Sequence, residues 1–340
     1  MTPLEIAVIG AGNIGSAMAV LLAKGGAKVT LVARGARAQT VRDTGLTLIA
    51  KGTPHCAQVA VTERLERPQD AIFACVKAHD LPAALAQHAG GIGAQTQVVP
   101  MVNGMPFWFF ADDPDAGAVP CVDPEGTLAR LLRPAQVLGA VLLMTVELDA
   151  QGRAISNNTP TLSLAPVAEG ADAAALGRLA RTLRAGGVAV DVPEAIRQKV
   201  MVKLLANFAT NPLSALTGAT LRAMGSDPVQ RAIVFGLADE FRALARPLGY
   251  ALPDNAWLGD LLLDAGDFAT SMLQDARAGR RLELDAIVHA PRDMAQARGL
   301  TMPLVDAVLD PLSTARALPL GDPGALLRSL SSIASFERTL

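Results

Sequence analysis

The sequence contains few cysteines and histidines, and this scarcity excludes two classes of protein. Three cysteines and four histidines are scattered over 340 residues. They show neither the even count of a disulfide framework nor the close spacing of a zinc site. We therefore assign no metal site. Because the N-terminus also lacks the basic and apolar regions of a signal peptide, a reducing, cytoplasmic compartment is expected.

The chain also lacks an excess of charge of either sign and a long uninterrupted apolar run. Its 30 basic and 32 acidic residues give a net charge of −2, so no basic field is available for nucleic acid or an anionic membrane. The longest stretch without a charged residue, 81–111, contains three prolines and several amides that a bilayer would not tolerate. We expect neither a nucleic-acid nor a membrane partner.

What is present is typical of a globular α/β protein of about two domains. Hydrophobic residues make up 51% of the chain. In the first half, short apolar runs alternate with helical patterns, which predicts a parallel sheet covered by helices. The predicted strands are 5–9, 28–33, 71–76, 97–102, 137–145, 155–158 and 161–164. A turn at 151–153 is expected to join strands 137–145 and 155–158 as a hairpin.

From Pro193 onward, long helical patterns replace the strand pattern. The predicted helices are 196–211, 229–248 and 259–275. We place the domain boundary near residue 190, with a dinucleotide-binding domain at 1–190 and a helical substrate and catalytic domain at 191–340. The segment 323–340 has an apolar face, which is expected to pack on its own chain or on the partner subunit of a homodimer.

A glycine motif lies between the first predicted strand and a predicted helix. Its residues are Gly10, Ala11, Gly12, Asn13, Ile14 and Gly15. In this context the first glycine makes a tight turn, the second lets a pyrophosphate approach the backbone, and the third lets helix and strand pack. The motif predicts a dinucleotide site. The alternative is a small-residue turn of an ordinary α/β protein.

The residues after the second predicted strand indicate which dinucleotide is bound. An NAD site usually places an acidic residue there, but no acidic residue occurs between Glu5 and Asp43. Arg34 and Arg37 follow the strand instead, and guanidinium groups pair well with a 2′-phosphate. This favours NADP(H). The alternative is that both arginines are solvated.

Two of the six lysines lie in apolar surroundings. Lys77 directly follows a predicted strand, at the sheet edge where α/β proteins bind ligands. Lys203 shares a helix face with Asn207 and Asn211, because the three are four residues apart. A buried lysine with a lowered pKa can donate a proton during carbonyl reduction. Alternatively, Lys203 reaches solvent and Asn211 ends the helix before Pro212.

Glu283 is an acidic residue flanked by two leucines, downstream of Ser271. It could pair with Lys203 in the interior, or form a surface ion pair with Arg280 or Arg281.

Taken together, these motifs resemble the ketopantoate reductase (2-dehydropantoate 2-reductase) family over nearly the whole chain. The matching positions are Gly10, Gly12, Gly15, Arg34, Lys77, Asn103-Gly104, the helix motif from Lys203 to Leu216, and the segment from Ser271 to Asp285. The resemblance implies a Rossmann-type N-terminal domain and an all-helical C-terminal domain like that of 6-phosphogluconate dehydrogenase, with the site in the cleft between them.

The resemblance also implies an enzyme, an NADP-dependent oxidoreductase that reduces ketopantoate to D-pantoate on the way to pantothenate and coenzyme A. Lys203 would be the general acid, and Glu283 would orient the substrate and Lys203. The family pattern further implies that Asn207 and Asn211 bind the substrate's hydroxyl end, that Ser271 meets its carboxylate, and that Lys77 and Asn103 lie at the cofactor and reaction site.

Three features depart from the family pattern. Met201 stands where an aromatic residue is often found, and His289 where a small residue is common. An aromatic segment at 103–110, continued by 112–125, suggests a paralogous branch with a different side-chain pocket. The alternative substrate is therefore another, bulkier 2-oxo acid. A second alternative is a sensor that binds NADPH without turnover, which the presence of a proton donor disfavours.

Overall fold

The computed structural model describes residues 2–113, 119–315 and 317–337. It forms two compact units. The first consists of Met1–Val102 and Pro106–Lys199, and the second of Asn103–Met105 and Val200–Leu340. Each unit has its own hydrophobic core, and we describe each by itself.

The first unit is α/β. Its strands are β1 (Glu5–Ile9), β2 (Lys28–Val32), β3 (Leu46–Ala50), β4 (Thr53–Ala57), β5 (Ala60–Thr62), β6 (Ala71–Ala74), β7 (Gln97–Pro100), β8 (Leu138–Leu143), β9 (Glu147–Leu148), β10 (Ala154–Ser156), β11 (Thr161–Pro166) and β12 (Ala189–Asp191). Its helices are α1 (Asn13–Lys24), α2 (Gly35–Thr44), α3 (Leu81–Gln87), α4 (Thr127–Leu131) and α5 (Ala173–Gly186), and α6 (Ile196–Thr217) begins in it.

A five-stranded parallel sheet organises the first unit, in the order β5-β2-β1-β6-β7. Strand β1 lies at its centre, and Ile6 to Val8 are fully buried. Continuous apolar strands of this kind are typical of a sheet covered on both faces. Helix α1 buries eight consecutive residues in the same core. The sheet thus brings the carboxyl ends of β1 and β6 side by side.

Two smaller sheets complete the first unit, with the orders β4-β3-β10-β9 and β12-β11-β8. The predicted hairpin between strands 137–145 and 155–158 is wrong. Strand β8 pairs along its whole length with β11, so the turn at Gly152, whose φ is +73°, joins β9 to β10 instead. Strands β3, β4 and β5 were not predicted.

The second unit is helical throughout its described part. It contains most of α6, followed by α7 (Leu221–Ser226), α8 (Pro228–Ala245), α9 (Asn255–Asp264), α10 (Ser271–Arg277), α11 (Ala290–Gln296), α12 (Pro303–Thr314) and α13 (Gly324–Glu337). Helix α13 packs on α8 of the same chain, with Leu330 and Ala334 buried. A homodimer stays a prediction.

The predicted continuous helix at 259–275 is wrong. Gly266 adopts a φ of +69°, a left-handed conformation that ends α9. Thr270 then begins a new helix, because its hydroxyl accepts a hydrogen bond from the backbone N–H of Leu273 at 3.1 Å. The fold class itself is confirmed: a parallel sheet with helices is followed by a helical unit. Within the described residues, no helix is both long and apolar enough to cross a bilayer.

Candidate active site

The glycine motif forms the turn between β1 and α1, and two of its glycines are required by close packing. Gly10 has a φ of +101°, and a Cβ on it would lie 2.6 Å from the carbonyl oxygen of Cys75. A Cβ on Gly15 would lie 1.8 Å from the carbonyl oxygen of Gly10. Neither position can hold a larger residue without moving the backbone.

Gly12 faces open space at the start of α1. A Cβ built on it meets no described atom within 4 Å. No described side chain caps this helix, and its first turn contains no acidic residue. An uncapped helix N-terminus carries a partial positive charge and unpaired N–H groups, which suit an anion. The residues therefore fit the pyrophosphate of a dinucleotide.

The two candidate phosphate-binding arginines have different surroundings. The half-buried Arg37 donates hydrogen bonds to the carbonyl oxygen of Ala11 at 3.3 Å and to the hydroxyl of Ser16 at 2.9 Å. Arg34 lies at the N-terminus of α2 in an extended conformation and is exposed. Arg37 therefore supports the glycine loop, whereas Arg34 is accessible to a ligand.

Lys77 lies just beyond β6, beside the glycine loop. The N–H of Cys75 donates to the carbonyl oxygen of Ile9 at 2.8 Å, which ties the end of β6 to the end of β1. Burial raises the pKa of the Cys75 thiol to about 12, so this thiol stays protonated at neutral pH. Lys77 then precedes a short 3-10 turn at Ala78–Asp80. It is the nearest basic residue in sequence after the buried end of β6.

Helix α6 carries three polar side chains on one face, as the spacing predicted. Pro212 does not end the helix, which continues to Thr217. Asn211 is only 3% exposed. Among the described residues, no group accepts a hydrogen bond from its side-chain nitrogen. A buried amide donor without a partner is costly unless a ligand pairs with it.

The environment of Lys203 fits an acid–base group. Burial lowers its pKa to about 8, and the negative charge of Glu283 opposes this by raising it. Glu283 is buried, and the two neighbouring arginines pair elsewhere. Arg280 contacts Asp275 at 2.8 Å and Arg281 contacts Asp285 at 2.8 Å. Glu283 is thus buried and close enough for its charge to raise the pKa of Lys203.

Ser271 and Asn103 belong to the same unit as this pair. Ser271 is the first residue of α10 and is half-buried. Asn103 precedes Gly104 and Met105, and the N–H of Met105 donates to the carbonyl oxygen of Ala286 at 2.7 Å. The structure therefore gathers six candidate residues in the second unit: Asn103, Lys203, Asn207, Asn211, Ser271 and Glu283. The glycine loop, Arg34 and Lys77 lie in the first unit.

The aromatic segment is only partly available to line a pocket. Trp108 and Phe109 are buried in the first unit, whereas Phe107 and Phe110 are half-buried. Arg197 holds the segment by donating to the carbonyl oxygen of Phe109 at 2.7 Å. Sequence reasoning missed this arginine, since nothing in the pattern separates it from other arginines. Residues 114–118 of the predicted loop lie outside the described residues.

A glycine loop at the end of a central parallel strand, together with a buried lysine and a buried glutamate in a helical unit, is typical of a dinucleotide-dependent oxidoreductase. The family model described as "Ketopantoate reductase PanE/ApbA" matches residues 6–168, and the model "Ketopantoate reductase PanE/ApbA C terminal" matches residues 195–315. The chain belongs to the ketopantoate reductase family, which confirms the resemblance stated above.

Individual proteins agree with this membership. The chain is 36% identical over 316 residues to a 2-dehydropantoate 2-reductase of Mesorhizobium japonicum, covering 90% of this chain and 96% of that protein. A solved structure from Ralstonia solanacearum MolK2, assigned as a ketopantoate reductase, superposes with a TM-score of 0.84 at 29% identity and covers 98% and 99% of the two chains. A ternary structure of D-mandelate dehydrogenase with NADH and anilino(oxo)acetate has the same fold, with a TM-score of 0.76 at 19% identity over 97% and 99%.

Proposed function

We propose that the protein uses NADPH to reduce 2-dehydropantoate to D-pantoate, in the cytoplasmic synthesis of pantothenate and coenzyme A. The observation that carries the proposal is Lys203, a lysine whose pKa burial lowers to about 8. The charge of Glu283 acts on Lys203, and Lys203 shares a helix face with the amides of Asn207 and Asn211. Family membership and the 36% identical reductase of Mesorhizobium japonicum support the choice of substrate.

The proposal divides the work between two parts of the chain. Residues 1–190 would hold the nucleotide. The backbone of 10–15 would bind the pyrophosphate, Arg34 the 2′-phosphate, and Lys77 the part of the nucleotide near the reaction site. NADPH, when bound, supplies the hydride that adds to C2 of the substrate. Residues 191–340, assisted by Asn103, would bind the 2-oxo acid.

Lys203 would donate a proton to the oxygen that becomes the 2-hydroxyl group. Its lowered pKa makes proton transfer easier than from an ordinary lysine, and Glu283 keeps enough of it protonated at neutral pH. Glu283 would also orient the substrate. Asn207 and Asn211 would bind the substrate's hydroxyl end, which would satisfy the unpaired donor of Asn211.

Ser271 would meet the substrate carboxylate, as its place in the family motif implies. It is the half-buried first residue of α10, directly after the Thr270 cap. Asn103 would contact both the nucleotide and the substrate.

The proposal is tested by following NADPH oxidation with purified protein. We expect 2-dehydropantoate to have the highest kcat/KM in a panel of 2-oxo acids that includes aromatic ones. Faster reduction of a bulkier acid would move the assignment to that substrate with the same chemistry. Tight binding of NADPH without oxidation by any acid would favour the sensor.

Replacing Arg34 with alanine tests the choice of nucleotide. We expect KM for NADPH to rise by roughly 10- to 100-fold, the loss of one or two charge-assisted hydrogen bonds, with little change in KM for NADH. Arg42→Ala, which removes an exposed arginine from the last turn of the same helix, is the matched control. Equal changes for the two nucleotides in the Arg34 variant would refute the phosphate role.

A further inference from the structure

The helical segment that follows Glu283 contains a widened turn at Asp285–His289. In it, the N–H of Ala290 donates to the carbonyl oxygen of Asp285, five residues earlier, rather than to Ala286. The next residue that could donate to Ala286 in this pattern is Pro291, which has no N–H. The widened turn and the proline together deprive the Ala286 carbonyl of both helical donors.

The donor that Ala286 receives comes from a distant part of the sequence. The N–H of Met105 contacts its carbonyl oxygen at 2.7 Å. Ala286 and Met105 are both buried, where an unpaired carbonyl would be costly. The bond therefore fastens the short segment Asn103–Met105 to the helical unit.

Gly104 makes this close approach possible. Its φ is +90°, and a Cβ on it would lie 2.5 Å from both the carbonyl carbon and the carbonyl oxygen of Ala286. Contact with rigid backbone leaves no room for adjustment. Asn103, the preceding residue, is thereby fixed next to a turn that starts two residues after Glu283.

We propose that Pro291 and the widened turn position Asn103 for the reaction, by keeping the Ala286 carbonyl free for the Met105 N–H. Pro291 and Gly104 are positioning residues, because they act only through Asn103. The proposal rests on the function proposed above for Asn103.

Gly104→Ala tests the contact, and Gly299→Ala is its matched control. Gly299 also has a positive φ, of +70°, but a Cβ there meets no described atom within 4 Å. The control therefore carries the backbone strain without the clash. We expect Gly104→Ala to lower kcat by roughly 100-fold, as a displacement of about 1 Å in an active site does. Its Tm should also fall below that of the control, because the clash breaks the buried bond from Met105 to Ala286.

Two further measurements separate positioning from general damage. In an Asn103→Ala background, Gly104→Ala should cause no additional loss of kcat, because its effect passes through Asn103. In hydrogen exchange, the Met105 amide should be protected in the wild type and lose protection in Pro291→Ala, since the new N–H competes for Ala286. Hydrogen exchange needs no substrate, so it tests the contact even if no 2-oxo acid is reduced.

Equal kcat values for Gly104→Ala and Gly299→Ala would overturn the proposal. The proposal would also be overturned if the kcat losses caused by Gly104→Ala and Asn103→Ala were fully additive. Unchanged protection of the Met105 amide in Pro291→Ala would overturn it as well. If the wild type shows this protection but reduces no 2-oxo acid, the contact stands and the proposed function fails.

Discussion

Replacing Lys203 with alanine should lower kcat for 2-oxo acid reduction by roughly 10²- to 10⁴-fold, the usual contribution of a general acid. The affinity for NADPH should change little, because Lys203 belongs to the helical unit and the glycine loop to the other. Steady-state kinetics and a separate nucleotide titration measure the two effects. Wild-type turnover in this variant would exclude Lys203 as the proton donor.

The role of Lys203 as proton donor also predicts how the rate of reduction depends on pH. Lys203 must be protonated to donate, and its pKa lies at about 8. The wild-type kcat/KM for reduction should therefore be high below this pH and fall above it. Lys199→Ala is the matched control, since Lys199 lies one turn earlier on α6, is half-exposed and pairs with Asp191 at 3.3 Å. It should keep both the rate and the pH profile of the wild type.

Replacing Gly12 with alanine should weaken nucleotide binding strongly without unfolding the protein. The new Cβ has space in the unliganded protein, and Gly12 has a negative φ of −77°, so alanine is not strained there. The methyl group would occupy the position that the pyrophosphate approaches. Losing one or two charge-assisted hydrogen bonds would weaken NADPH binding by roughly 10- to 100-fold.

Calorimetric titration with NADPH and a thermal melt test this prediction together. Gly177→Ala adds a methyl group to α5, in the same unit, where its nearest described neighbour is the mobile end of an arginine side chain 3.6 Å away. This control should leave both affinity and Tm near the wild type. An unchanged affinity in Gly12→Ala would show that the phosphate does not approach this turn.

Local sequence patterns predicted those parts of the site that lie within one helix or one strand–turn–helix segment. The glycine motif needs only a strand before it and a helix after it, and the face shared by Lys203, Asn207 and Asn211 follows from helical periodicity. The fold class was predicted for the same reason. Apolar runs and helical periods are properties of short segments.

Features that depend on contacts between distant segments could not be predicted. The pairing of β8 with β11 depends on register across a sheet, so the hairpin prediction was wrong. Gly266 could have been tolerated within a helix, and only the structure shows its positive φ. The hydrogen bond from Met105 to Ala286 joins two segments that are far apart in the sequence, and no local sequence pattern connects them. The domain boundary near residue 190 and the residue roles stay predictions.

The unbroken course of α6 through Pro212 also bears on which acids the protein accepts. A helix rises about 1.5 Å per residue, so Lys203, Asn207 and Asn211 follow one another at axial intervals of about 6 Å. These intervals cannot stretch while the helix is intact. We expect chain length to limit selectivity: a 2-oxo acid that keeps its carbonyl at Lys203 would bind well only if its far polar group reaches these fixed amides.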